Sequence, residues 1–397
     1  MKKILQINVC VNQGSTGKIV ESIGKKVVEQ GWESYVAGTD VVFPSQSKVL
    51  KVGNRLARYW HRGMARFLDK QGLGSILSTK AFIRQIQSTQ PDLIHLHNLH
   101  CAYINYPLLF SFFKAYKRPV VWTFHDCWPM TGHCTHFDSI GCDKWKKACD
   151  DCPLIPQLSL DQSRQNYLRK KSYFTSLDSL TIVPVSQWLG ELVKQSYFSQ
   201  CNVVTIKNGI DLSVFQPLDQ SSARVKWNLA PRRFTLMGAS TSWSDSKGLQ
   251  EFIKLAENYD YQIIMVGVDA KTKSLLPEQI ITFPMIREQR ELASLYAAAD
   301  LFVNPTYNDS FPTVNMEALA CGTPVAAYNT GGVPEMVDAE TGIVVPRGDK
   351  AALFSAIQTM KDGQTREMSE ACRKRALAHF DKERNFNQYI ELYRSLC

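Results

Sequence analysis

Asp309 and Glu317 stand eight residues apart in Tyr307-Asn-Asp-Ser-Phe-Pro-Thr-Val-Asn-Met-Glu317, across a short loop and the opening turns of a helix. Carboxylates accept from the hydroxyls of a polar ligand, while an anionic group seeks free N–H groups at a helix start. Asn329-Thr-Gly-Gly-Val-Pro-Glu335 follows, a loop able to bring bare backbone against a ligand. Upstream, Lys247-Gly248 opens another helix. An ammonium and a helix N-terminus together would hold an anionic group without metal. The plainer readings are a solvated helix start at Lys247, a helix cap at Asp309 and a surface residue at Glu317.

The first half carries its own candidates. Thr123-Phe-His125-Asp126 ends an apolar run. Imidazole can donate to a sugar hydroxyl and titrates near neutrality, although a buried structural histidine fits the same pattern. Alternation in Ile94-His-Leu-His-Asn98 puts His95 and His97 on one face of a strand. Metal ligation is one reading of that pair, and His97 with Asn98 at the rim of a ligand site is the preferred one. Gln13-Gly-Ser-Thr-Gly-Lys-Ile-Val20, with Gly14 and Gly17, follows the first apolar run and opens a helix. It lacks the phosphate-loop spacing, so a plain turn fits equally well. Cys134, Cys142, Cys149 and Cys152 place four sulfurs in 19 residues, which suits a small tetrahedral zinc knot. Such an ion would tie down a loop too short for its own core. Reduced thiols and disulfides are the alternatives, the latter disfavoured in a cytoplasmic setting.

Positioning these groups requires alternating strands and helices, the pattern of parallel α/β layers. Strands are expected at 3–9, 34–38, 92–97, 119–125, 181–185 and 202–207, then at 234–238, 261–267, 280–283, 301–305 and 324–328. Leu249, Phe252, Ile253 and Ala256 repeat at helical spacing, as do Leu292, Leu295, Tyr296 and Ala299. A chain of 397 residues suits two domains. Its 44% hydrophobic and 21% charged content fit a soluble globular protein. No apolar run approaches the roughly 18 residues that span a bilayer. The start reads as a buried strand and not a signal peptide, so a cytoplasmic location is expected. Residues 1–211 hold 26 Lys and Arg against 15 Asp and Glu, a net +11, and the remainder 20 against 22, a net −2. A basic first half implies an anionic partner.

The acid-x7-acid run, Gly322-Thr-Pro and Gly331-Gly-Val-Pro-Glu335 resemble retaining glycosyltransferase family 4. That resemblance implies the GT-B fold, two Rossmann-like doubly wound domains facing a central cleft. Asn208-Gly-Ile-Asp211, with Phe215 and Pro217, resembles the family's linker. It implies an acceptor-side domain at 1–212 with a Cys-rich insertion at 127–156, a sugar-nucleotide domain at 213–381, and a helix at 382–397 returning to the first. Carried over by resemblance, His125 and Asp309 are catalytic. Gly14, Gly17, Lys247, Ile286, Ser310, Phe311, Pro312, Thr313 and Glu317 bind the donor, and His97 and Asn98 lie on the acceptor side. Asp309 stands where the family usually has Glu, and the Arg usual just before Lys247 is missing, leaving Arg287 as a second cation. The insertion Trp128-x2-Thr-Gly-x-Cys134 to Cys149-x2-Cys-Pro153 resembles that of colanic-acid-type transferases.

Arg55, Arg58, Arg62 and Arg66 form one helical stripe, and Leu56, Trp60, Met64 and Phe67 another. This reads as a membrane-surface contact, or as a core helix with a solvated basic face. The expected partners are a UDP- or GDP-sugar, a lipid-linked saccharide acceptor and an inner-leaflet membrane surface, with no nucleic acid. No catalytic cofactor is expected, and zinc is expected only as a structural ion. A catalytically silent sugar-nucleotide-binding protein is the first rival. A zinc-containing nucleic-acid-binding protein is the second, weakened by the lack of any recognised nucleic-acid fold.

Overall fold

The computed structural model describes every residue except Val42, Gln364 and Arg366. Its chain divides into two compact units, Met1–Lys207 with Phe386–Cys397, and Asn208–Asn385. Each is built on a parallel sheet.

In the first unit the main sheet holds Lys3–Ile7 (β1), Glu33–Gly38 (β2), Lys48–Lys51 (β3), Leu93–Leu96 (β4), Val120–Phe124 (β5), Leu180–Pro184 (β6) and Asn202–Val203 (β7), beside a two-stranded pair of Cys10–Val11 and Asp40–Val41. Their spatial order is β3-β2-β1-β4-β5-β6-β7. Every residue of β4, β5 and β6 is buried, as expected of strands covered on both faces. Helix α1 (Gly14–Glu29) supplies Ile19, Ile23 and Val27 to a core that also holds Ile4, Leu93, Val121 and Val183. A second helix of this unit, α2 (Arg55–Leu68), buries only His61.

Within the second unit come Thr235–Ala239 (β8), Gln262–Val266 (β9), Ile280–Phe283 (β10), Leu301–Asn304 (β11), Val325–Tyr328 (β12) and Gly342–Val345 (β13), ordered β10-β9-β8-β11-β12-β13. Helix α3 (Leu249–Asn258) lays Leu249, Phe252 and Leu255 on this sheet at helical spacing. A Cβ at Gly238 would come within 2.3 Å of the Phe252 ring, so glycine there lets α3 close on β8. Helices α4 (Gln289–Ala298) and α5 (Thr313–Ala320) flank β11 in sequence. The last helix, α6 (Lys382–Leu396), contributes Phe386, Tyr389, Ile390 and Tyr393 to the core of the first unit. Truncating a buried aromatic of that kind to Ala costs about 3–5 kcal/mol.

Both sheets wind outward in two directions from their first strand, with the switch between β1 and β4 in one and between β8 and β11 in the other. In such sheets ligands bind beyond the carboxyl ends of the strands at the switch. All eleven expected strands are present, with ends shifted by a few residues. β3 and β13 were not expected. Both lie at sheet edges, and in β3, Lys48-Val-Leu-Lys51, a continuous apolar run is not required.

Candidate functional site

The switch of the second unit gathers the residues singled out there. Past β11, Tyr307 donates from its hydroxyl to the buried Glu251 of α3 at 2.8 Å, which anchors the loop that follows. Lys247 closes the turn before α3, and its Nζ donates to the Asn308 carbonyl at 3.0 Å and to Thr306 Oγ1 at 3.3 Å. It also pairs with Asp309 Oδ2 at 3.1 Å, both side chains being partly exposed. Gly248, next in the chain, has φ +78°, and a Cβ there would meet Pro305 Cγ at 2.2 Å. Gly331 has φ +55°, and its Cβ would lie 1.9 Å from the Asp309 carbonyl oxygen. Glycine at that point lets the 329–332 loop reach the acidic loop, where the Gly332 N–H donates to the Ser310 carbonyl at 3.0 Å.

Helix α5 begins at Thr313 after Pro312, which provides no side-chain cap. Its first N–H groups therefore point out of the helix end without a capping side chain. Thr313 and Glu317 are four residues apart on one partly exposed face, while Ser310, Phe311, Asn315 and Met316 are buried. Glu317 Oε2 accepts from the hydroxyl of buried Tyr296 in α4 at 2.9 Å. Burial, reinforced by Glu317, pushes the Tyr296 pKa well up, so this phenol remains a donor. Buried Ser310 Oγ, Asn308 Oδ1 and Asn315 Nδ2 have no hydrogen-bond partner. Polar atoms in that state carry an unmet cost that an incoming ligand could relieve. Ile286 lies half-buried beyond β10, and Arg287 is exposed.

The switch of the first unit is neutral. Gln6 on β1 donates through Nε2 to the Val20 carbonyl at 2.9 Å, which turns its Oε1 toward His97. His97 Nε2 then donates to that oxygen at 3.2 Å, leaving His97 Nδ1 to accept from His125 Nε2 at 3.1 Å. This tautomer assignment follows from the amide orientation. His125 is left with Nδ1 as an acceptor, so at that nitrogen it can accept a hydrogen bond and cannot donate one. Burial holds the His125 pKa down to about 4, against the pull of the Asp126 carboxylate. Burial likewise lowers His95 and His97 well below the usual histidine range. His97, expected at an acceptor rim, is buried and bonded to Gln6 and His125. Asn98 is half-buried. His95 is committed to Tyr393 at 2.6 Å and Thr123 at 2.8 Å, which accounts for it as a link between β4 and α6. Gly14, with φ +66°, starts α1 with open space around it, and a Cβ on Gly17 would come 3.3 Å from the Cys10 carbonyl oxygen.

His100 and Asp126, not singled out from sequence, form a separate pair at 2.8 Å. Burial opposes the imidazolium, but the carboxylate prevails and lifts His100 to about 10. Burial opposes the Asp126 charge too, and His100 together with the Trp128 N–H holds its pKa down to about 2.

Cys134, Cys142, Cys149 and Cys152 line one small pocket with Phe137 and Trp145. Cys134 and Cys152 hydrogen-bond to each other, and the Gly132 N–H donates to Cys149 Sγ at 3.2 Å. Among the described residues no three His, Cys, Asp or Glu side chains are disposed to hold a metal ion, so the zinc knot finds no support in this geometry. Nor does the insertion lack a core. Buried Phe137 and Trp145 stack with centroids 4.7 Å apart, and Lys170 ties it down through the Trp128 and Thr131 carbonyls at 2.9 and 3.0 Å.

Sequence reasoning missed Gln6, Tyr296 and Glu251. Gln6 and Tyr296 are polar groups within largely apolar stretches, which is the one signal available for them, and Glu251 among Gln250 and Lys254 offers none.

Glycosyltransferase Family 4 matches residues 17–214, and Glycosyl transferases group 1 matches residues 227–379. A glycosyl transferase named for colanic acid biosynthesis, WcaC of Escherichia coli (strain K12), is 22% identical over 99% of this chain and 100% of its own. N-acetyl-alpha-D-glucosaminyl L-malate synthase of Bacillus anthracis is 28% identical over 60% of this chain and 65% of its own. Among solved structures, sucrose-phosphate synthase from Thermosynechococcus elongatus superposes with TM-score 0.77 at 20% identity, covering 100% of this chain and 99% of that one. Anabaena Alr3699/HepE, solved in complex with UDP-glucose, gives TM-score 0.70 at 18% identity with 100% of both chains covered.

Proposed function

The chain is a glycosyltransferase of family 4 with the GT-B fold, and from that premise we propose that it moves a sugar from a nucleoside diphosphate onto a growing saccharide during polysaccharide synthesis. The observation that carries this reading is the grouping of Lys247, Asp309 and the uncapped start of α5 beyond β8 and β11, with Glu317 one turn along that helix. Lys247 exchanges Asp309 for the diphosphate, whose remaining charge meets the first N–H groups of α5. Glu317, steadied by Tyr296, accepts from the ribose hydroxyls. Asp309, released, turns to the transferred sugar, and Ser310 and Asn308 find partners in the donor. His125 accepts from a sugar hydroxyl through Nδ1.

Retention of configuration is carried from the family resemblance. Donor cleavage and acceptor attack then occur on one face of the sugar, and the leaving diphosphate assists loss of the acceptor proton. The acceptor is a lipid-linked saccharide. UDP-glucose in the Anabaena relative makes UDP-sugars the first donors to test, with GDP-sugars next.

A panel of sugar nucleotides screened by thermal stabilisation and by slow donor hydrolysis tests the reading. A ligand at 100 times its Kd adds about 2.7 kcal/mol to stability. Stabilisation by one donor with hydrolysis is expected. Stabilisation without any turnover would favour a silent sugar-nucleotide-binding protein, and no stabilisation by any donor would refute the site.

A further inference from the structure

Helix α2 is anomalous for a soluble unit. Of its fourteen residues only His61 is fully buried, through Ser75 Oγ at 2.9 Å and the Gly74 N–H at 3.1 Å. At 100° per residue, Leu56, Tyr59, Trp60 and Phe67 share one face. They are 67%, 73%, 67% and 55% exposed. Arg55, Arg62 and Arg66 run along the side of that face and are exposed as well. No Asp or Glu occurs between Arg55 and Leu68. Asp69, which ends the helix, is buried and bonded to His133 and Asn166.

The apolar surface continues past the helix. The Leu160 N–H donates to the Phe67 carbonyl at 3.0 Å, and Ser159 Oγ donates to the Arg66 carbonyl at 2.5 Å. These bonds set Leu158, 92% exposed, and Leu160, 56% exposed, beside the end of α2. Isolated exposed leucines are ordinary, but a contiguous apolar patch marks an interaction surface.

We propose that this face of the first unit docks on an anionic lipid surface, with Leu56, Trp60, Phe67 and Leu158 entering the headgroup layer and the arginines meeting lipid phosphates. A helix with an aromatic apolar face, a purely cationic flank and low mean hydropathy has the make-up of an interfacial helix. Charge complementarity selects this occupant. A second copy of the chain would set arginine against arginine. A nucleic acid would answer the arginines but leave exposed leucines with nothing to stack on. The inference stands apart from the donor site, and its test uses neither donor nor acceptor.

Co-flotation of the full chain with phosphatidylcholine vesicles, with and without phosphatidylglycerol, reads it directly. Binding is expected only with phosphatidylglycerol and is expected to weaken with salt. Each surface arginine contributes about five-fold in partitioning, so Arg62→Gln with Arg66→Gln should cost roughly 25-fold. Trp60→Ser should cost about ten-fold or more. All three positions are exposed, so unchanged melting temperatures of the variants would separate loss of docking from loss of fold. The proposal is overturned by equal binding to neutral vesicles, or by none to anionic ones. It is also overturned if Trp60→Ser abolishes a concentration-dependent dimer, or the arginine change abolishes nucleic-acid binding, while lipid partitioning is unaffected.

Discussion

Beyond β8 and β11, an ion pair of Lys247 and Asp309 sits on a partly exposed loop beside orphaned polar atoms. Beyond β1, β4 and β5, Gln6, His97 and His125 form a neutral and largely buried chain. The two sheets share one strand order, so topology alone provides equivalent positions in both. What differs is solvation. The second unit keeps charge available for an anionic ligand, while the first fixes a single imidazole tautomer through buried Gln6 and His97. A fold of this kind supplies the place, and the side chains decide whether it holds charge or orients a neutral group.

Variants can break or sharpen that contrast. The largest effect is expected from Asp309→Asn, which keeps the shape and removes the charge; turnover should fall about 10²–10³-fold with little change in melting temperature. A turnover within a few-fold of the parent would remove Asp309 from the reacting centre. Lys247→Ala should weaken donor binding by about 10–100-fold, the range for a hydrogen bond to a charged group. If only turnover changed and titration calorimetry gave an unaltered Kd, the diphosphate role would be lost. Gly331→Ala forces a left-handed backbone and a contact with the Asp309 carbonyl, and should cost about 1–3 kcal/mol in denaturant unfolding while displacing the acidic loop. A neutral result would mean that the loop adapts freely. Tyr296→Phe removes one neutral donor from Glu317, and about a ten-fold loss of donor affinity at most is expected.

The histidines predict the smallest and most graded effect. His95, His97 and His125 have folded pKa values below the ordinary 6.5, so between pH 6.5 and about 4 the unfolded chain binds more protons. Their contribution is complete above pH 6.5 and is lost as pH falls. His100, raised to about 10, behaves oppositely: its contribution is complete below pH 6.5 and is lost as pH rises toward 10. Lys170, lowered to about 7 by burial, opposes His100 by gaining stability as pH rises above 7, so melting temperature should rise from pH 4 to 6.5 and then level. His100→Gln should turn that level alkaline side into a rise while leaving the acid side. An unchanged alkaline limb in that variant would show that the His100–Asp126 pair does not shape it.

Much of this was legible in the residues. Long apolar runs marked the central strands because strands covered on both faces need little polar alternation. The edge strand β3, Lys48-Val-Leu-Lys51, escaped because solvent on one side relaxes that demand. Asp309, Glu317 and Lys247 could be singled out from local spacing, since a loop, a helix start and an acid one or two turns along are short-range features. Their partners could not. Tyr296, Glu251 and Gln6 reach the sites through the tertiary packing of α3, α4 and β1, which no local pattern encodes. The four cysteines teach a related lesson. Their spacing brought the sulfurs around one pocket, but an aromatic stack and a buried lysine already organise the insertion. The α2 patch was visible only in part, because Leu158 and Leu160 lie some ninety residues away in sequence.

The measurement that bears most directly on the account is calorimetric titration of the intact chain with the stabilising sugar nucleotide, beside Glu317→Ala. Saturable binding that disappears in the variant, with its fold retained, is the predicted result. Undiminished affinity in Glu317→Ala would contradict the placement of the ribose on α5, and with it the donor site as a whole.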